Sequence, residues 1–303
     1  MRKNSFYCLC FLLLLVSCRK EIKNEFDNLP RLPVVNSILV AGESVKVHLS
    51  LSTNIHSIDF SFVENAEILL YINDVFTEKL SYQSDGIYES ASIVESQKKY
   101  SCKIIIPHYD TVFCENSIPA ENRILDIKYI SVGGLDEEGF THPAVELLFE
   151  NDPTQSLYYE VIVRYPSIEG AYELDSLGND VWTTYDIMEE AYLMDNNDHL
   201  IMREGVTIGV FNNEGLKESS CKLTLNFKTY SSLPNGTEKI IVELRSISYS
   251  YYQYVKTRYL NEQGRYSSSL ENYPVTSLYS NIKNGYGIFA GYSSVVSDTI
   301  FTK

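Results

Sequence analysis

Residues 44–51 read Ser44-Val-Lys-Val-His-Leu-Ser-Leu51, and this stretch decides the fold class of the chain. Apolar residues occupy every second position from Val45 to Leu51, and polar residues lie between them. Successive side chains of a strand point to opposite faces, so this alternation is typical of a strand that buries one face. The stretch therefore predicts β structure.

Short apolar runs separated by turn sequences continue to residue 120. Gly42-Glu43, Asn73-Asp74 and Asp85-Gly86 are such turns, because Gly, Asn and Asp tolerate the backbone angles that turns require. About seven short strands without a convincing helix predict an immunoglobulin-like β-sandwich over residues 31–120.

A second domain is predicted over residues 121–303, after a linker around Pro119. Its stretches 143–153 and 158–165 resemble the centre of a fibronectin type III sandwich. We therefore expect a mainly β chain, with an immunoglobulin-like β-sandwich followed by a second, fibronectin type III-like β-sandwich.

Two parts of the second domain depart from the strand pattern. Residues 166–205 form an insertion, within which residues 186–198 predict a short helix. Apolar residues between Ser246 and Glu262 recur at spacings that loosely fit a helix. We therefore expect a helical insertion and a further helix before the C-terminal strands.

Residues 1–17 have the three parts of an export signal, and Leu15-Val-Ser-Cys18 resembles a bacterial lipobox. The apolar run before Cys18 is shorter than the roughly 20 residues that span a bilayer. This length disfavours a transmembrane helix, and an ordinary signal peptide is the other alternative. We expect cleavage before Cys18, lipid on its thiol as a membrane anchor, and a polar tether over residues 18–30.

The chain is acidic, with a formal net charge of −15 at pH 7. Removal of residues 1–17 takes away Arg2 and Lys3 but no acidic residue, so the mature protein is more negative still. Such a surface repels phosphate backbones and anionic lipid headgroups. We therefore expect no nucleic-acid partner.

Cys102 and Cys114 flank a hairpin pattern that folds at His108 and places the two residues opposite one another. Directly opposed strand residues have Cα atoms about 4.5–5.5 Å apart, within disulfide range, and an exported chain meets an oxidising compartment. A disulfide and a pair of small buried residues both remain open. Cys221 is interpreted as a lone buried thiol.

The sequence contains no recognisable catalytic motif. The chain has neither a Gly-x-Ser-x-Gly elbow nor a His-Glu-x-x-His helix, and we expect a non-enzymatic protein without cofactor or metal. Asp195-Asn-Asn-Asp198 beside His199 is the best calcium candidate, but it lacks the EF-hand spacing, glycine and closing glutamate.

Four stretches carry a resemblance to a known family, and residues 63–71 and 85–88 are two of them. Leu32 to Ser50 is similar to the opening strand, turn and strand of that family, and Asn281-Ile-Lys-Asn-Gly-Tyr-Gly-Ile-Phe289 is similar to its C-terminal signature. Over about residues 30–303 the chain thus resembles the Bacteroidetes outer-membrane lipoproteins described as domain of unknown function 4249. The resemblance implies an accessory lipoprotein that accompanies a TonB-dependent receptor, and it carries over no catalytic residue.

The glycines of this signature have a plain physical interpretation. Asn284-Gly285 suits a turn with positive φ. Gly287 is expected to admit a close approach of another backbone segment, because glycine has no Cβ. A phosphate-cradling loop is disfavoured because the Gly-x-Gly-x-x-Gly spacing is missing.

The remaining candidate residues are possible sites of surface modification and of stacking against a ligand. Thr111, Ser176 and Thr299 each follow an Asp and precede an aliphatic residue, which resembles the acceptor of Bacteroidetes O-glycosylation. Trp182 and exposed tyrosines are candidates for stacking against a ligand.

We expect a non-enzymatic accessory lipoprotein of the outer membrane that works with a TonB-dependent receptor in nutrient uptake or export, with residues 166–205 as its contact surface. The alternatives are a surface lipoprotein that binds a glycan, peptide or nutrient directly, and a fimbrial or adhesin subunit that exchanges strands. The sequence leaves open which face of the outer membrane the protein occupies.

Overall fold

The computed structural model describes residues 30–53, 61–136, 138–174, 180–190, 202–203, 206–207, 209–227, 239–266 and 276–302. The chain is mainly β, as the alternating pattern predicts. Within the described part, no helix has both the length and the apolar character needed to cross a membrane.

Eleven strands form one large sheet, called the main sheet below. Numbered in chain order, they are β1 (Pro33–Val40), β2 (Ser44–Leu51), β3 (Ser61–Phe62), β6 (Ser81–Tyr82), β7 (Ile87–Ile93), β12 (Tyr158–Leu174), β13 (Asp180–Glu190), β16 (Val210–Asn212), β18 (Lys239–Ile247), β19 (Tyr286–Val296) and β20 (Ile300–Phe301). Neighbouring strands follow the order β13-β12-β18-β19-β1-β2-β7-β6, with β16 on β12, β20 on β18 and β3 on β2.

Two smaller sheets pack against the main sheet, and each forms the second layer of one sandwich. The N-terminal cover sheet contains β4 (Glu67–Ile72), β5 (Val75–Lys79), β8 (Lys99–Ile105) and β9 (Val112–Ser117), in the order β5-β4-β8-β9. The C-terminal cover sheet contains β10 (Ile124–Leu135), β11 (Thr141–Glu150) and β17 (Ser220–Asn226). The remaining elements among the described residues are the short pair β14 (Met202–Arg203) and β15 (Val206–Thr207), and one helix, α1 (Tyr249–Tyr266).

The first hydrophobic core joins the main sheet to the N-terminal cover sheet. Val45, Val47 and Leu49 of β2 are fully buried in it, which confirms the alternation of the opening stretch. Ile68 of β4 and Tyr100 of β8 contribute from the cover sheet. Burial of each such side chain stabilises the fold by about 1.5–3 kcal/mol relative to exposure.

The second core joins the main sheet to the C-terminal cover sheet. Val161 of β12 and Val242 of β18 meet Val145 and Phe149 of β11 there. The rings of Phe149 and Tyr159 pack edge to face, with their centroids 5.2 Å apart. The architecture is therefore sandwich-like in both halves, as predicted, with two cores against one shared sheet.

Strand β19 belongs to both halves of the molecule. Its first seven residues pair in parallel with β1, and its last five pair antiparallel with β18. Phe289 lies in the first core, and Val295 packs against the second. The predicted domains, 31–120 and 121–303, are therefore joined through the main sheet, and the end of the chain completes the first sandwich.

Helix α1 follows β18 directly and confirms the helix predicted between Ser246 and Glu262. Ser248 precedes it and accepts a hydrogen bond from the backbone N–H of Tyr251 at 3.3 Å, as serine commonly does at a helix N-terminus. Tyr252 packs with Ile247 in a small apolar cluster beneath the helix.

The helix predicted over residues 186–198 is wrong for residues 186–190, which belong to β13. That strand pairs antiparallel with residues 164–174 of β12 along its whole length, so its backbone groups find partners in the neighbouring strand. The β-branched and aromatic residues from Val181 to Tyr185 favour a strand. Residues 191–198 lie outside the described residues.

Candidate functional site

The signature stretch from Asn281 to Phe289 is a structural element. The side-chain amide of Asn281 accepts from the N–H of Phe289 at 2.9 Å and donates to its C=O at 2.7 Å, as a neighbouring strand would. Gly287 has a φ of +109°, and a Cβ there would lie 2.0 Å from the carbonyl oxygen of Val35. The close backbone approach predicted at Gly287 is confirmed.

The turn within this signature also bonds to the start of β9, the edge strand of the N-terminal cover sheet. Asn284 has a positive φ of 62°, as the Asn-Gly sequence predicts, and its side chain donates to the C=O of Thr111 at 2.8 Å. Lys283 exchanges two backbone hydrogen bonds with Phe113 of β9. These contacts give the signature a role in closing the first sandwich.

Cys102 and Cys114 are register partners in the β8–β9 hairpin, so the predicted juxtaposition is confirmed. His108 lies at the turn with a φ of 68°. Both cysteines are buried, and no disulfide joins them in this structure. A hydrogen bond with the Cys114 thiol and burial raise the pKa of Cys102. Cys221 is also a buried thiol.

The candidate modification sites are scattered. Thr111 is half-buried and precedes β9, whereas Thr299 is exposed just before β20. Ser176 and the lipidation candidate Cys18 lie outside the described residues. O-glycosylation at these positions and lipidation of Cys18 stay predictions.

Metal binding has no candidate in the described part of the chain, where no group of three or more His, Cys, Asp or Glu residues is placed to hold an ion. The calcium candidate from Asp195 to His199 falls outside that part.

A two-stranded hairpin extends from the main sheet, and it is called the hairpin arm (residues 165–174 and 180–189). Strand β12 pairs with β18 only as far as Arg164. From there to Leu174, its partner among the described residues is β13. Ten residues of strand span about 33 Å. Trp182 is the register partner of Tyr172 in this arm.

A concave surface lies where the two sandwiches meet, and it is called the junction cleft. Its volume is about 570 Å³. Three segments of the chain line it: residues 116–122 at the end of β9 and after it, residues 150–159 from the end of β11 to the start of β12, and residues 246–250 from the end of β18 to the start of α1. Side chains distant in sequence are thereby brought together.

Tyrosine rings lie in a cluster at this cleft. Tyr158 and Tyr249 both line it, with ring centroids 5.4 Å apart. Tyr158 also lies 4.8 Å from Tyr252 of α1, and Tyr249 lies 6.4 Å from Tyr279. The number of tyrosines in the sequence suggests stacking surfaces, but the local sequence contains no signal that selects these ones.

A charged ladder crosses β12 and β18 beside α1. Arg245 donates to Glu160 at 2.8 Å and to Glu243 at 2.6 Å, and Arg164 also donates to Glu243. Tyr251 of α1 donates to Glu160 at 3.1 Å. Burial alone would raise the pKa of Glu243, but hydrogen bonds from Arg245 and Arg164 hold this pKa below its ordinary value. Because its charges are paired internally, we interpret the ladder as a structural network.

Comparison with known proteins identifies one family. Its description is domain of unknown function (DUF4249), and its profile matches residues 19–297 of this chain. A search of curated proteins finds no match. The match covers most of the chain, including the strands of both sandwiches and the Asn281–Phe289 signature. The chain therefore belongs to the DUF4249 family.

Proposed function

We propose that this protein is a non-enzymatic accessory lipoprotein of the outer membrane that works with a TonB-dependent receptor in nutrient uptake or export. The lipobox-like sequence ending at Cys18 supports a lipid anchor, because the apolar run stops at the cysteine. The hairpin arm is the structural feature that supports a protein partner.

An isolated two-stranded hairpin is marginally stable in water. The hairpin arm continues beyond the last β12–β18 pair, and its described backbone pairs are all between its own two strands. A partner that packs against the arm, or that adds a strand to β13, would stabilise it further. We therefore assign the contact surface to the hairpin arm.

The composition of the arm supports a partner with a basic surface. Residues 165–174 and 180–189 contain five acidic residues and neither Lys nor Arg. Complementary charge increases the rate of encounter and selects the partner. A receptor loop rich in Lys or Arg would meet this requirement.

Strand exchange, which a fimbrial subunit would use, is disfavoured by the position of β19. The space between β1 and β18 is filled by this strand of the same chain. A donor strand would have to displace it from both cores.

The test is a co-purification from cells in mild detergent, using the full-length protein with a C-terminal tag. We expect a TonB-dependent receptor to be recovered in near-equal amounts with the natural chain. A variant in which a short Asn-Gly turn replaces residues 167–187 shortens the arm beyond Tyr165, and we expect it to lose the receptor.

The matched control is Tyr286→Ala, an exposed substitution at the start of β19 and outside the arm, which is expected to retain the receptor. Recovery of the natural chain without any receptor would count against the accessory role. Recovery of the receptor with the shortened variant would place the contact elsewhere.

A further inference from the structure

The junction cleft has features of a binding site that the hairpin arm does not share. Its volume of about 570 Å³ lies within the range of about 300–1,000 Å³ that is usual for small-molecule sites. It combines aromatic rings with hydroxyl, amide and backbone groups. Docking of a protein on the arm would leave these features without an explanation.

Tyr249 supplies an accessible aromatic surface. Its side chain is 52 % exposed, although the ring contacts Tyr158 and Tyr279 on two sides. Contacts of this kind restrict the ring without covering it. A tyrosine held in this way offers a rigid apolar face and a polar hydroxyl at a small cost in conformational entropy.

The loop between β11 and β12, which also lines the cleft, is held in place by two buried asparagines. Asn213 donates to the backbone carbonyls of Asp152 and Gln155, at 3.1 and 2.9 Å. Asn151 donates to the carbonyl of Glu218 at 2.8 Å. Gln155 and Ser156 are nevertheless exposed on the loop. A loop ordered before binding loses less entropy when a ligand arrives.

The linker around Pro119 contributes backbone hydrogen-bonding groups to the cleft. Ala120 and Glu121 are exposed and line the cleft, and in the described part of the chain their N–H groups donate to no protein acceptor. Ser117 adds an exposed hydroxyl just before them. These donors and acceptors are free to bond with the hydroxyl groups of a ligand.

The charge of the cleft narrows the class of ligand. Its ionisable carboxylates are Glu121, Glu150 and Asp152, and none of the described residues that line it is Lys, Arg or His. An anionic ligand would therefore be repelled. Glu150 lies 3.7 Å from Arg123, and Asp152 accepts hydrogen bonds from its own loop, so a cationic ligand gains little from these two.

We propose that the junction cleft binds a short neutral saccharide. A sugar ring packs on the face of Tyr249, and its hydroxyl groups bond with Gln155, Ser156 and the free backbone groups of the linker. This site is separate from the hairpin arm, so the proposal does not depend on the receptor partnership.

The experiment uses the mature full-length protein in lauryldimethylamine oxide, a detergent without a sugar headgroup. Maltohexaose, cellohexaose, mannohexaose and chitin hexamer are the neutral probes, and hexagalacturonate is the anionic probe. Binding is measured by saturation-transfer NMR and by calorimetric titration. We expect at least one neutral probe to bind and hexagalacturonate to bind more weakly.

Two variants locate the site. Tyr249→Ala is expected to weaken binding of the same probe by about tenfold, as loss of an aromatic anchor typically does. Tyr286→Ala removes a ring of similar exposure, 56 %, outside the cleft, and is expected to bind normally. If Tyr249→Ala does not fold, Gln155→Ala on the exposed loop replaces it.

Three results would overturn the proposal. The first is no binding of any neutral probe at about 10 mM, a concentration that detects even millimolar dissociation constants. The second is tighter binding of hexagalacturonate, or of an Ala-Ser hexapeptide, than of every neutral sugar. The third is unchanged affinity in a folded cleft variant.

Discussion

Arg245 lies over the ring of Tyr292, with its guanidinium carbon 4.4 Å from the ring centroid. Arg245 belongs to β18 and Tyr292 to β19, so the contact joins the strand that serves both sandwiches to the charged ladder. Cation–π contacts of this kind contribute about 0.5–2 kcal/mol. The paired carboxylates Glu160 and Glu243 hold the guanidinium in this position.

The ladder makes stability depend on pH in a specific window. The pKa of Glu243 is lower in the folded protein than its ordinary value of 4.5, so its charged form stabilises the fold. This contribution is complete above pH 4.5 and is lost as the pH falls from there through the lowered pKa. We expect Glu243→Gln to cost about 2–3 kcal/mol at pH 7 and to reduce the loss of stability in acid.

The measurement is the free energy of unfolding in urea as a function of pH. Glu67→Gln is the matched control, because Glu67 also pairs with a cation, Lys79 at 3.2 Å, but at an exposed position. A surface pair contributes about 0–1 kcal/mol. Equal acid sensitivity in the natural chain and Glu243→Gln would show that the ladder does not control this dependence.

Gly287→Ala tests the closure of the first sandwich. A Cβ at this position would overlap the carbonyl oxygen of Val35, which belongs to the neighbouring strand. We expect β1 and β19 to separate or the protein to fail to fold, with a loss of stability well above the roughly 1 kcal/mol of a typical substitution. Thermal unfolding followed by circular dichroism measures the effect.

Gly42→Ala is the control for that substitution. Gly42 also has a positive φ, of +93°, but an added Cβ would meet no atom within 4 Å. Its cost is limited to the backbone strain of about 1–2 kcal/mol for a non-glycine residue in this region. Similar losses in the two variants would mean that the approach of Val35 is unimportant.

The third prediction concerns the oxidation state of Cys102 and Cys114 in the exported protein. We expect Cys102 and Cys114 to form a disulfide after export, because opposed strand positions are within bridging range. Alkylation of the denatured, unreduced mature protein should then label Cys221 alone among these three. Mass spectrometry of the labelled peptides makes the distinction.

Labelling of all three residues would instead identify Cys102 and Cys114 as buried thiols. Cys221→Ser provides the control, since it should leave the oxidation state of the other two unchanged. If the thiols are free, the raised pKa of Cys102 predicts slow reaction in the folded protein, since the thiolate is the reactive form.

Much of the fold could be predicted because its signals are local. The alternation along β2 predicts which side chains enter the first core, since a strand places every second residue on one face. Asn284 and Gly287 have the backbone conformations expected of them for equally local steric reasons. Residues 186–190 show the limit, because their strand conformation depends on pairing with β12.

The sequence by itself determined the period of the strands, the location of α1, the turns and the family resemblance, because each depends on residues close together in the chain. Tertiary structure alone decided that β19 pairs in parallel with β1, which lies at the other end of the chain. A two-residue period predicts which face of a strand is buried, but it does not predict which strand lies beside it in the sheet. The tyrosine pair of the junction cleft is also tertiary, because Tyr158 meets Tyr249 only through the pairing of β12 with β18.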